Sequence, residues 1–321
     1  MGTPPPPPPP ALSWRPDPSP VVLSSLDLLA GSAAATRRLV AAHSRHFLTV
    51  SSLLLLPLSL LILSFPAPFL LASSPSVSLQ SPHDPRENRY NPLLVPLPLL
   101  AAAAALLYLA AFAAAAASAQ AGFFGRPVKL LASFLSVPAS VLRLLLTALP
   151  ATPLLLLPLL PLPAQLSTVL AAIGVLLLVP FWSLSGAAAV VESTAGLSPL
   201  RQSCRLLSGA RLAALFAFLI IGAGIGVTLW GFGGVATDTY DASAGWAGMA
   251  PVVVKAVVGT ALLAVLMLYG MVINVVLYMH CRALHGELTG EIYNEFANLY
   301  VFLPFDEGKD RHVVSVVTVW P

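Results

Sequence analysis

From Leu144 to Val191 the chain carries no aspartate, glutamate, lysine or arginine. A water-soluble domain does not form around such a stretch, because its surface needs charged side chains, normally about 25% of a sequence. Here only 9% of residues are charged and 57% are apolar. A helix crosses a bilayer with roughly 20 apolar residues. Runs at 47–71, 96–118, 144–162, 166–191, 212–235 and 251–280 approach or exceed that length. The expected fold is therefore all-α: a polytopic membrane helix bundle of about six transmembrane helices, with interfacial amphipathic helices beside them.

Three regions follow. Residues 1–20 contain seven consecutive prolines, Pro4–Pro10, with Pro16, Pro18 and Pro20 beyond. That composition favours solvated polyproline II and builds no core, so a disordered tail is expected. It shows no charged-then-apolar pattern of a cleaved signal peptide. Residues 21–285 form the membrane domain, and 286–321 a cytosolic tail ending in the β-prone, uncharged Val313–Trp320. Prolines 57, 66 and 68 should kink or shorten the first span. Pro150, Pro153, Pro158 and Pro161 make 144–162 either a span or a re-entrant segment. Basic, partly apolar segments at 21–46, 121–143 and 198–211 precede the odd-numbered spans and suit interfacial helices. Their spacing suggests three copies of one interfacial helix followed by a membrane hairpin.

Orientation follows from the excess of Lys and Arg on cytosolic loops. With six spans and both termini cytosolic, every basic residue except Arg86, Arg89 and Lys255 falls on the cytosolic side. Removing the Pro-rich third span would put Arg201, Arg205 and Arg211 on the opposite face. Localisation in the endomembrane system or plasma membrane is expected. The net charge of +3 is too small to imply nucleic acid. The partners implied are the lipid bilayer and other membrane proteins or further copies of the chain.

The connector Val190–Arg211 holds most of the candidate functional groups. Ser198 followed by Pro199 reads as an N-cap and first helical residue. Leu200, Cys204 and Leu207 then share one face, Arg201 and Arg205 the adjacent one, and Gly209 ends or bends the helix. Arg201 and Arg205 are expected at headgroup level. Glu192 stands where the fourth span leaves the membrane, either as a cation ligand or as an arginine partner. Asn274 is the most deeply placed polar residue of the last span, suited to a substrate contact or an interhelical hydrogen bond. Cys204 and Cys281 are juxtamembrane and suit reversible palmitoylation. His280, Cys281 and His285 match no zinc spacing. No phosphate loop, nucleophile elbow or His-Glu zinc helix occurs, so neither catalysis nor a cofactor or metal is expected.

The run VVESTAGLSPLRQSCRLLSGAR with YMHCRALHGE resembles a family of plant six-span integral membrane proteins. These are more distantly similar to bacterial multi-span domains, some of them fused to glycerophosphodiester phosphodiesterases. The resemblance rests on Glu192, the Ser203/Leu206/Leu207/Gly209 run and Tyr278–Cys281, and covers about half the chain. It implies a multi-span fold. This chain has no phosphodiesterase domain, so it implies no hydrolysis.

Two functions fit these readings. One is a non-enzymatic membrane protein that organises lipids or partner proteins. The other is a facilitator or channel for a small or lipidic solute, which would need a polar-lined cavity converging on Asn274 and Glu192. The topology itself is testable. With Cys204 and Cys281 replaced by serine, Asp238→Cys should react with an impermeant thiol reagent only from the non-cytosolic face. Labelling from the cytosol would overturn the six-span arrangement.

Overall fold

The computed structural model describes residues 25–64, 96–126, 130–151, 164–207, 210–235, 245–288, 300–301 and 314–315. The chain there is helical, apart from a two-residue antiparallel ladder that pairs Tyr300 with Ser315 and Val301 with Val314. The N-terminal tail and the loop expected over 72–91 lie outside the described residues.

Helix α1 (Ser25–Ala42) turns at His43 into α2 (Ser44–Val50), a π segment (Ser51–Leu55) and α3 (Leu56–Ser64). Pro57 explains the π segment. Proline lacks an N–H and its ring crowds the carbonyl one turn back. Just ahead of it, the Leu56 N–H bonds to the Ser51 carbonyl, a turn one residue wider than an α-turn, and the helix continues. Helix α4 (Pro96–Phe123) overruns the span expected at 96–118. The chain then reverses at Gly125, whose φ of +68° suits a residue without a side chain.

Helix α5 (Leu130–Ala148) is followed by a 3₁₀ turn, Leu149–Ala151. This corrects the expected division at residue 144. Residues 121–143 are not one interfacial helix: 121–123 finish α4, and the rest of the helical part continues unbroken to Ala148. Only 144–151 of the expected third span are described. Helix α6 (Ala164–Val191) covers the residues expected at 166–191. The connector helix α7 (Leu197–Leu206), α8 (Arg211–Phe232) and α9 (Trp246–Leu284) complete the order. By length and composition, Ser44–Ser64, Leu99–Phe123, Arg211–Phe232 and Trp246–Leu284 are long and apolar enough to cross a membrane.

Helix α9 is the axis of the bundle, touching α1, α3, α4, α6 and α8. Its 39 residues span about 58 Å at helical rise, roughly twice the 30 Å hydrocarbon thickness. Its second half is the most buried: Val272, Val276, Leu277, Tyr278 and Met279 have no exposure. Alanines supply much of what packs around it, including Ala111 and Ala113–Ala116 of α4, Ala187–Ala189 of α6 and Ala213–Ala214 of α8. Small side chains let helix backbones approach closely, which favours association where lipid gives no hydrophobic drive.

Helix α1 buries Leu28, Ser32, Thr36 and Leu39, one stripe at helical spacing, and packs on α8 and α9. Buried polar side chains lock these contacts. Ser32 Oγ donates to the Leu28 carbonyl at 2.7 Å and lies 2.9 Å from His280 Nδ1. His46 Nε2 lies 2.6 Å from Ser118 Oγ, joining α2 to α4.

Two glycines of α9 mark close helix approaches. A Cβ at Gly259 would sit 2.6 Å from Phe232 Cβ and 2.8 Å from Leu63 Cδ2; at Gly270 it would meet Ile221 Cγ2 at 2.9 Å. At Gly222 it would meet nothing within 4 Å. Gly259→Ala and Gly270→Ala should each destabilise the bundle by about 1–3 kcal/mol through overpacking. Gly222→Ala should be neutral or slightly stabilising. Thermal unfolding in detergent gives the order directly; equal midpoints for all three would contradict the packing described.

Candidate functional site

Two features stand out: a polar cluster at one end of α9 and a cavity one turn further along it. The cluster begins where α6 ends. The Glu192 N–H still bonds to the Ala188 carbonyl at 2.9 Å. The chain then turns through Ser193, a non-glycine with φ of +57°, and Gly196 with φ of +77°. A left-handed serine costs roughly 1–2 kcal/mol, and the turn it makes sends α7 back along α6. Ser203 of α7 donates to the Phe181 carbonyl at 2.7 Å. Leu206 and Leu207 are fully buried. The Arg211 guanidinium, opening α8, lies 5.9 Å from the Phe181 ring centre.

This return brings the connector onto the end of α9. Glu192 Oε1 accepts hydrogen bonds from Gln202 Nε2 and from the Tyr278 hydroxyl. Arg282 Nε lies 3.5 Å from the same oxygen and 3.8 Å from Glu287 Oε2. Glu287 also accepts from Arg205. The Arg282 side chain is only 8% exposed and Glu192 19%, so these charges are largely out of water and must compensate one another. The Arg282 guanidinium also stands 6.0 Å from the Tyr278 ring centre. Glu192 thus closes a clasp between connector and last helix, and its arginine partner comes from α9.

The connector helix departs from expectation in two respects. Its N-cap is Gly196, and Ser198 lies inside the first turn with its hydroxyl on the Ala195 carbonyl. Pro199 is tolerated there because first-turn N–H groups have no helical acceptor. The buried face is Pro199, Ser203 and Leu206; Cys204 does not join Leu207 there but is exposed beside Arg201 and Arg205. The return along α6 sets this face, a constraint that periodicity within α7 does not carry. Arg201 stays on the surface, while Arg205 reaches Glu287. Cys281 is fully buried, which closes its thiol to acylation in the folded chain; Cys204 remains accessible. His280 faces Ser32, and His285 Nδ1 lies 2.8 Å from the Cys281 carbonyl. Among the described residues no three His, Cys, Asp or Glu side chains converge as a metal site would require.

The cavity encloses about 370 Å³ between α4, α5, α6, α8 and α9, within the range of small-molecule pockets. Aromatic rings of Tyr108, Phe112, Trp182 and Phe218 form much of its wall, and Gly186, Gly222 and Gly270 leave the space between them. Among the described residues no charged side chain lines it. Exposed Tyr108 and Ala148 stand at its edge. Asn274, expected to bridge helices, instead lines this space, half-buried. The neighbouring hydroxyls are engaged locally: Thr147 with the Arg143 carbonyl and Ser185 with the Trp182 carbonyl. Glu192 is not in the lining, so no polar-walled path joins it to Asn274 there.

Neither Gln202, Arg282 nor Glu287 stands out in the sequence alone. One signal was present: Asn274, Tyr278 and Arg282 recur at i, i+4 and i+8, which puts them on one helical face.

These features define an all-helical protein with, among the described residues, four helices long and apolar enough to cross a membrane. Residues 128–293, more than half of the chain, match the family described as Domain of unknown function (DUF8558), and the chain belongs to that family. The match contains the whole clasp and four of the five helices around the cavity. No curated protein and no solved structure matches the chain.

The clasp makes a quantitative prediction. Glu192→Ala should cost about 2–4 kcal/mol, because it leaves a buried guanidinium short of its counter-charge. Arg201→Ala, on the exposed face, should change stability by less than about 0.5 kcal/mol. A double-mutant cycle with Arg282→Leu should recover part of the Glu192→Ala loss. Additive effects in that cycle would show that the two side chains are not coupled.

Proposed function

We propose that this chain is a non-enzymatic, multi-pass integral membrane protein that holds a membrane lipid in the cavity among α4, α5, α6, α8 and α9. The observation that carries the reading is the cavity itself. Its wall is aromatic, aliphatic and uncharged, and it lies between helices of which three belong to the apolar spans. A lipid chain is the apolar solute such a site meets at the highest concentration.

Six spans with both termini cytosolic remain the arrangement proposed. Beside the four apolar helices, α6 has 28 residues, enough for a crossing, and α5, with 19 residues, is the sixth. In that arrangement the clasp faces the cytosol, where Arg201 and Arg205 meet anionic headgroups. Helices α1 and α7 then serve as a cap on that end of the bundle. The separation of Asn274 from Glu192 is what places lipid holding ahead of solute conduction.

The test uses purified full-length protein in phosphatidylcholine nanodiscs, with bound lipid read by native mass spectrometry. Because a Cβ at Gly222 meets open space, Gly222→Phe should fill the cavity without breaking the fold. Retained lipid should fall by more than half while the unfolding midpoint stays level or rises. Unchanged lipid retention in a folded Gly222→Phe variant would refute the assignment.

A further inference from the structure

The cavity has a polar end, and that end specifies the ligand. Helix α9 carries Met267, Gly270 and Asn274 along the cavity, then Tyr278 and Arg282 in the clasp, all on one stripe. Four residues of helix advance about 6 Å. Asn274 therefore stands one turn inside the clasp, and the lining from Asn274 back to Met267 runs about 10 Å away from it. No hydrogen bond joins the Asn274 amide to a described residue, whereas the hydroxyls of Thr147 and Ser185 are already bonded to carbonyls of their own helices. An amide carries two donors and two acceptor lone pairs, and in apolar surroundings those groups need partners.

We propose that the cavity binds an uncharged long-chain amphiphile, a neutral lipid, whose hydroxyl or ester oxygen bonds to the Asn274 amide while its chain runs towards Met267. Two observations fix the class. The amide supplies hydrogen bonds, so the ligand has a polar oxygen at the clasp end. Among the described residues no charged side chain lines the cavity, so an ionised head would be desolvated without a counter-charge, and the head is neutral. The order of polarity agrees with the bilayer: hydrocarbon around Met267, a hydrogen-bonding oxygen at Asn274, and charged groups at Arg282. The inference rests on the lipid-holding reading above and adds the headgroup to it.

The experiment uses the full-length protein in phosphatidylcholine nanodiscs and a diazirine-bearing long-chain alcohol as photoprobe, with labelled peptides mapped by mass spectrometry. Competitors are an unlabelled alcohol, a hydrocarbon and a fatty acid of the same chain length. In the unaltered protein the alcohol should compete about fivefold better than the hydrocarbon, the effect of one neutral hydrogen bond. It should also outcompete the fatty acid at alkaline pH. Asn274→Leu keeps the size and removes the amide; it should retain labelling and reduce the alcohol-to-hydrocarbon ratio to near one, with Asn274→Gln restoring part of it. Equal competition by alcohol and hydrocarbon, or a ratio that survives Asn274→Leu, overturns the inference and leaves lipid holding intact. A fatty acid competing as well as the alcohol overturns the neutral-head assignment. Failure of every probe to label the cavity saturably removes both readings. The comparison in the unaltered protein does not depend on any variant folding.

Discussion

A guanidinium that is 8% exposed has to be answered by negative charge, and much of this structure follows from how Arg282 is answered. Its carboxylates come from the end of α6 and from the turn after α9. Glu192 reaches it only because α6 extends to Val191 before the chain turns. The connector must then fold back, since Gln202 bonds to the same carboxylate oxygen. That return positions Ser203 on the Phe181 carbonyl and buries Leu206 and Leu207. It also fixes where α8 begins. One buried charge thus orders four consecutive elements, and deleting either partner exposes the desolvation cost that the pairing offsets.

Small residues explain the rest of the architecture. Where α4, α6 and α8 present alanines to α9, backbones approach and the interior is closed. A few residues away the pattern changes. Tyr108, Phe112, Trp182 and Phe218 replace alanine, while Gly186, Gly222 and Gly270 remain between them. Rings spaced by glycines cannot interdigitate as densely as a uniform alanine face, and a cavity is the geometric result. The same glycine character has the opposite effect at Gly259, where Phe232 and Leu63 already occupy the place of a side chain.

The long apolar helices were legible because hydrocarbon imposes a length and excludes charge; the run Ser44–Ser64, α4, α8 and α9 begin or end within about five residues of the expected spans. Proline was less legible. Pro57 sits inside a continuing helix because a π turn absorbs it, and Pro138 lies within α5, so proline alone marked no boundary there. The α5 start was missed because basic character suggested an interfacial segment, whereas Ser133, Ser140, Leu144 and Thr147 turn one face of that helix inward. Glu192 was recognisable as a partner for an arginine. Which arginine depended on the return of the connector, a tertiary fact with no local signature. Cys204 and Leu207 were placed on one face by spacing, but burial of α7 is decided by what it packs against.

The stripe Met267, Gly270, Asn274, Tyr278 and Arg282 ties these strands together. Reading outward along α9, the side chains pass from thioether to none, then amide, phenol and guanidinium. Each step is more polar than the last, apart from the glycine that makes room. A helix serving only as a core element has no need of that order, because any buried polar group costs free energy unless bonded. Here the outer two groups are paired, with Glu192 and Glu287, while the amide between clasp and cavity and the buried Trp182 Nε1–H in the cavity wall have no partner among the described residues. The clasp holds α9 at a fixed depth relative to α6 and α7. The depth of Asn274 is fixed with it, so in the proposed lipid complex the charge pairing at the end of the bundle would also set where along the lipid a hydrogen bond is made.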